Sequence, residues 1–407
     1  MSLIILCTTL YINYNQAQTF DRHTGPFVQK GDFYFVENSD MAFQKVSVKK
    51  DPNDFRVVVL GGSQALGDPY TVSDKSLSLL IAEELGIPIR GGISYWLQKF
   101  LGAKLPTKNV QVINMGVGSR GMDEIVELFR GSVDLIKPDL VFLLAGNNER
   151  DYRYMTGVSF LLYPEYRPEL DNVKGLLHDK YLLHLKMLQK ITEKRQIPLI
   201  LSTVPTNLKS WSPYVAPNLK EAALLLKDQA HSKKEVKDPG LKAINYFYRG
   251  QYLLGKGLFQ AAYQSFQMAK ENDLVSLRCS QKINNSLRNF PTGPLLLKLD
   301  LEEIMRQYAD SKIPGSDLFM DYVHLKLHGY ILAASHLADK ILKIENPKAE
   351  FKISMEEVKA LEKVYWKGIY RRNFRYRNLF KWFRLRVLHF GDDISEENYR
   401  HIEKNYQ

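Results

Sequence analysis

Three residue types set the chemistry to weigh first. Asp321-Tyr322-Val323-His324 puts a carboxylate three residues before an imidazole. Within one turn such a carboxylate reaches one ring nitrogen, fixes the tautomer and leaves the other nitrogen as a base. Alone, Asp-x-x-His is a common chance spacing. Far upstream, Val57-Val58-Val59-Leu60 runs into Gly61-Gly62-Ser63. A serine hydroxyl is a weak nucleophile until a base takes its proton. His324 would be that base, with Asp321 orienting it. Acyl transfer also creates an oxyanion that needs fixed donors. The backbone N–H groups of Ser63 and Gly116 and the side-chain amide of Asn148 supply three.

These residues must be carried to one place. The apolar run Val57–Leu60 reads as a strand buried on both faces, as in a parallel sheet, and its glycines permit a sharp turn. Val110–Asn114 reads as a second strand, ending in Gly116-Val117-Gly118-Ser119-Arg120-Gly121. Leu140–Ala145 is a third, running into Gly146-Asn147-Asn148-Glu149. Pro198–Thr203 and Leu295–Asp300 are the fourth and fifth. Helical patterns lie between them at Ser73–Leu85, Tyr95–Leu101, Met122–Ile136 and Tyr181–Arg195, whereas residues 20–55 read as an irregular lead-in. Alternating strands and helices imply a doubly wound parallel sheet. Ser63, Gly116, Asn148 and His324 then all stand near the C-terminal strand ends, where open α/β sheets keep their sites.

Two other patterns compete. Gly116-Val117-Gly118-Ser119-Arg120-Gly121 fits a dinucleotide fingerprint, which would make the chain a nucleotide-binding oxidoreductase. The acid expected at the end of the next strand is missing, since that strand ends in Ala145-Gly146-Asn147-Asn148. His324 and His328 stand four apart like half a zinc site, but the Glu of the metalloprotease helix is absent, so His328 reads as a structural or surface residue. No cofactor and no metal are expected.

The ordered set Gly61-Gly62-Ser63, Asn114-x-Gly116, Gly146-x-Asn148-Glu149 and Asp321-x-x-His324 resembles the SGNH (GDSL-type) hydrolase family over roughly residues 55–340. It is similar in particular to bacterial members with tetratricopeptide-like helices inserted before the last strand. The resemblance implies a flavodoxin-like five-stranded α/β sheet, Ser63 as nucleophile, Asp321 and His324 as the other triad members, and Gly116 and Asn148 as oxyanion donors beside Ser63. Gly62 and Glu149 depart from it, since many members carry Asp at both positions. The implied activity is ester hydrolysis through an acyl-enzyme, on an acylated glycan or lipid. O-acyl transfer from the same site is the nearest alternative, and a non-catalytic scaffold is another.

The rest of the chain reads as additions to that unit. Residues 1–20 include the apolar stretch Leu3–Ile12, too short to span a bilayer, which needs about 20 residues; it reads as the residue of a signal or anchor. Residues 21–206 and 291–345 form the two parts of the hydrolase unit. Between them, residues 207–290 form a helical insertion in which Tyr246, Gly250, Ala262, Phe266 and Ala269 match one tetratricopeptide unit, with Gly257 near its turn. That insertion is expected to dock a protein partner. Residues 346–407 form a helical extension whose basic, aromatic stretch Tyr365–Phe390 suits an anionic membrane surface. Among 407 residues the net charge is +11, which favours anionic surfaces; no nucleic-acid module accompanies it. Cys7 and Cys279 form neither a disulfide framework nor a zinc pattern. A membrane-associated, cell-envelope (periplasmic) location is expected, with the cytoplasm as the alternative.

Overall fold

The computed structural model describes residues 25–36, 41–42, 44–68, 70–71, 91–149, 170–215, 219–231, 236–274 and 277–370. The stretch at residues 1–20, the helix read over Ser73–Leu85 and the basic aromatic segment beyond Tyr370 lie outside them.

The lead-in read as irregular is instead an antiparallel three-stranded sheet, β1 (Phe27–Lys30), β2 (Phe33–Val36) and β3 (Lys45–Ser47). Each strand has only three or four residues, too few for a period-two pattern to stand out. The sheet is anchored by buried Phe27, Val36 and Val46, which join the main core.

The main sheet holds β4 (Asp54–Gly61), β5 (Asn109–Gly116), β6 (Leu140–Leu144), β7 (Leu199–Ser202) and β8 (Leu296–Leu299), all parallel in the order β5-β4-β6-β7-β8. By position along the chain this is 2-1-3-4-5, the flavodoxin-like order, with its switch point beside the first strand. All eight residues of β4 are buried. The strand begins three residues before the apolar run because Arg56 finds partners inside. Its guanidinium donates to Ile136 O (2.9 Å), Ser47 O (3.0 Å) and Gln111 Oε1 (3.1 Å) and pairs with Asp54 (3.4 Å). A buried charge is tolerated when so paired, and this one ties β3 to the N-terminal end of the sheet.

Helices flank the sheet. The single turn α1 (Ser63–Leu66) follows β4, α2 (Ile93–Lys104) precedes β5, α3 (Met122–Ile136) precedes β6 and α4 (Leu170–Lys194) precedes β7. On α3, Ile125, Val126, Phe129, Val133 and Ile136 recur at helical spacing and are buried.

The insertion contains α5 (Lys220–Asp228), α6 (Pro239–Gly255), α7 (Phe259–Asn272) and α8 (Gln281–Asn289). Asp238 caps α6 by accepting from Gly240 N (2.7 Å), with Pro239 at the first helical position. The α6–α7 hairpin builds its own small core from Ile244, Phe247, Ala262, Phe266 and Ala269, which Leu208 and Ile313 complete. A β-carbon at Gly250 would meet the Phe266 ring at 2.8 Å, so the small residue sets how closely the helices approach. Arg288 of α8 forks onto Asp300 (2.7 and 2.8 Å) and reaches Glu302 (2.7 Å), at the start of α9 (Leu301–Tyr308). The described residues close with α10 (Leu327–Glu345), which packs on α2, and α11 (Met355–Tyr370), whose Tyr365 ring lies against Trp96. Among the described residues no helix is long and apolar enough to cross a membrane.

Candidate active site

Ser63 is the first residue of α1, directly after β4. The turn exists because two glycines lack side chains. A β-carbon at Gly61 would lie 2.0 Å from Leu144 O, and one at Gly116 would lie 2.2 Å from Leu66 N. Neither backbone could then approach. Asn114 at the end of β5 fastens the far side of α1 by donating from Nδ2 to Leu66 O (2.9 Å).

His324 and Asp321 lie on the loop between the 3-10 turn Asp310–Lys312 and α10. Although 261 residues separate them in sequence, His324 Nε2 lies 2.8 Å from Ser63 Oγ. His324 Nδ1 lies 2.6 Å from Asp321 Oδ2. The other carboxylate oxygen, Oδ1, accepts from the backbone N–H of Val323 (2.8 Å) and His324 (2.7 Å). Asp321 is 2% exposed and His324 8%. Burial alone would raise the Asp321 carboxyl, but the His324 charge and hydrogen bond, helped by the two N–H groups, outweigh it and hold the group below its ordinary value. An ionised carboxylate in this place is an oriented acceptor for an Nδ1–H, which leaves Nε2 as the ring nitrogen facing Ser63.

Asn148 follows β6. Its Nδ2 donates to Arg120 O (3.1 Å) and stands 2.5 Å from the place a β-carbon on Gly62 would take. The amide therefore sits against the Gly62–Ser63 turn, with a second N–H to offer. Among the described residues nothing accepts from the Ser63 N–H. Gly116 differs: its N–H already donates to Asn114 Oδ1 (2.9 Å). Its missing side chain makes room for α1, so this glycine's plain contribution is steric. Ser119, three residues on, adopts the left-handed backbone region at φ 60°. Non-glycine residues hold that conformation where surrounding structure demands it.

Glu149 occupies the helix end that follows the glycine fingerprint. Its Oε1 accepts from Met122 N (2.8 Å), the first amide of α3. A buried carboxylate thus takes the helix N-terminus where a pyrophosphate would need positive potential. His328 is engaged structurally, with Nε2 at 2.7 Å from Asp317 O and Nδ1 at 3.3 Å from Glu362.

No protein-family model and no curated protein matches the chain. Solved lipases, acylhydrolases and esterases are similar to it. One is a GDSL-like lipase from Bacteroides thetaiotaomicron, with 12% identity over 74% of this chain and 93% of that one and a TM-score of 0.36. Another is a lipase/acylhydrolase from Enterococcus faecalis, with 15% identity over 74% and 100% and a TM-score of 0.34. A third is a catalytic mutant of an acetylxylan esterase from Geobacillus stearothermophilus, with 13% identity over 72% and 96% and a TM-score of 0.34. At these values the likeness carries no statement about activity, which rests on the side chains above.

Several supporting residues escape a reading of motifs. Gln64, next to the serine, is buried and donates from Nε2 to Val323 O (2.8 Å) and Pro205 O (3.2 Å), pinning the serine turn to the histidine loop. Tyr181 of α4 donates to Ala145 O (3.0 Å), bracing the Asn148 loop. Asn207 donates from Nδ2 to Asp321 O (2.9 Å). All four bonds run from a side chain to a distant backbone carbonyl, which leaves no spacing signal in the sequence.

Proposed function

We propose that the chain is a serine hydrolase that cleaves esters through an acyl-enzyme. The observation that carries this is the continuous hydrogen-bonded line Ser63–His324–Asp321 at 2.8 and 2.6 Å. In the acylation step Ser63 Oγ attacks the ester carbonyl carbon while His324 Nε2 takes the hydroxyl proton. The carbonyl oxygen becomes an oxyanion and accepts from Ser63 N–H and Asn148 Nδ2; Gly116 joins only by releasing Asn114. The tetrahedral centre collapses, the bond to the leaving oxygen breaks, and His324 returns the proton to that oxygen. Water then attacks the acyl-enzyme with His324 again as base, which releases the acid and restores Ser63. Asp321 stays ionised and stabilises the imidazolium in both half-reactions.

An alcohol in place of water would make the same site an O-acyltransferase. The ester is proposed to be carried on a glycan or lipid at an anionic envelope surface, which the net charge of +11 supports. Turnover of p-nitrophenyl acetate tests the reaction class. The intact chain releases nitrophenolate catalytically and Ser63→Ala does not; equal rates for the two proteins would dismiss the mechanism. Adding an alcohol acceptor and measuring ester product against free acid separates transfer from hydrolysis.

A further inference from the structure

The helical insertion is bonded to the loops of the site, and a buried cation is part of that contact. Arg278 stands in the connection between α7 and α8 and is 1% exposed. Its Nη1 donates to Asn207 O (3.0 Å) and Trp211 O (3.2 Å), and Nη2 faces Asp273 (3.4 Å). Asn207 is itself fully buried and all its polar groups are committed. Its N–H donates to Tyr322 O (3.0 Å), Nδ2 donates to Asp321 O (2.9 Å), and Oδ1 accepts from Ser210 N (3.1 Å). Its carbonyl is the group Arg278 holds. The next residue, Cys279, donates its N–H to Asn147 Oδ1 (2.9 Å), beside Asn148. Of two consecutive residues of the insertion, Cys279 thus reaches the Asn148 loop directly and Arg278 reaches the Asp321 loop through Asn207.

We infer that Arg278 is a positioning residue, through which the insertion fixes, by way of Asn207, the backbone that presents Asp321 and His324 to Ser63. This rests on the hydrolase reading above. The carbonyl of Asp321 and the carboxylate that orients His324 belong to one residue. A shift of the 207–211 segment moves that peptide and misaligns the imidazole. Displacements near 1 Å at a catalytic group cost about a hundredfold in rate. Burying a guanidinium is expensive, and an apolar residue of similar volume is often no worse for stability. The geometry gives the cation a use that an apolar residue would not have. The insertion is then a brace for catalysis rather than only a docking module.

The test uses the full chain with Arg278→Met and Arg278→Lys, and Asn207→Ala as an independent break in the same path. Turnover of p-nitrophenyl acetate is normalised to the folded fraction, and the His324 Nδ1–H resonance is followed in histidine-labelled protein, assigned with His324→Gln. Arg278→Met is expected to lower kcat about 10- to 100-fold, leave KM within about twofold and move or broaden the His324 signal. Lysine should restore part of both. Should Arg278→Met not fold, Asn207→Ala is expected to show the same kcat loss. Wild-type kcat and an unmoved His324 signal in either folded variant would overturn the proposal. An intact chain inert to esters would dismiss the hydrolase reading instead, and the His324 signal alone would still decide whether Arg278 positions the loop.

Discussion

Replacing Asp321 by Asn removes one charge and keeps the outline of the loop. An amide oxygen in place of Oδ1 can still accept from the Val323 and His324 N–H groups at 2.8 and 2.7 Å. The amide NH2 then faces His324 Nδ1 where Oδ2 stood at 2.6 Å. It donates, so Nδ1 must accept and the ring proton moves to Nε2. A protonated Nε2 cannot take the Ser63 proton. The same swap in serine proteases costs about 10⁴ in kcat, or about 5.4 kcal/mol at 1.36 kcal/mol per decade. The loss in folding free energy is smaller, since a typical hydrogen bond contributes only about 0.5–1.5 kcal/mol. Stability should also change its pH dependence. The Asp321 carboxyl sits below its ordinary 3.8, since the imidazole and the two N–H groups outweigh the effect of burial. A group held below its unfolded value stabilises the fold above that value and loses the contribution as pH falls through the folded one. Denaturant melts at pH 7, 4 and 3 should therefore show the intact chain losing more stability below about pH 4 than Asp321→Asn does. Aryl-ester kinetics at pH 7 read the first effect. A folded Asp321→Asn chain keeping more than a tenth of the original kcat would refute the assigned role of the carboxylate.

Other consequences are smaller or more local. Asn148→Ala should lower kcat by about 10²–10³, or about 2.7–4 kcal/mol, as loss of an oxyanion donor does, with KM little changed. Gly62→Ala should reduce kcat at nearly constant Tm, because its β-carbon would press on Asn148 Nδ2 at 2.5 Å. Gly116→Ala should instead lower stability by at least about 1–3 kcal/mol, as overpacking does, because its β-carbon meets backbone at Leu66 N; calorimetry reads it.

The residues of the line Ser63–His324–Asp321 were legible because each sits in a short motif beside a strand end or within one turn. The sheet was legible because β4 contains the apolar run Val57–Leu60 and β6 is apolar throughout, each followed within two residues by a glycine. Gly116 reads from the sequence as an oxyanion donor, whereas in the structure its N–H goes to Asn114 Oδ1, and its steric role beside α1 leaves no mark in the sequence. What stayed out of reach was carried by long-range bonds to carbonyls. Gln64 to Val323, Asn207 to Asp321 and Arg278 to Asn207 connect positions whose spacing means nothing until the chain is folded. The β1–β3 sheet was missed for a different reason: strands of three or four residues bury only a few side chains each, and β1 shows one buried residue followed by three exposed.

The central claim is that Ser63 is a nucleophile made reactive by His324. Its most direct test is to treat the full chain with a fluorophosphonate and locate the adduct by peptide mass spectrometry. The account predicts one phosphonyl group on Ser63, formed far more slowly in His324→Gln. An adduct on another residue, none on the folded chain, or equal labelling rates with and without the imidazole would contradict it.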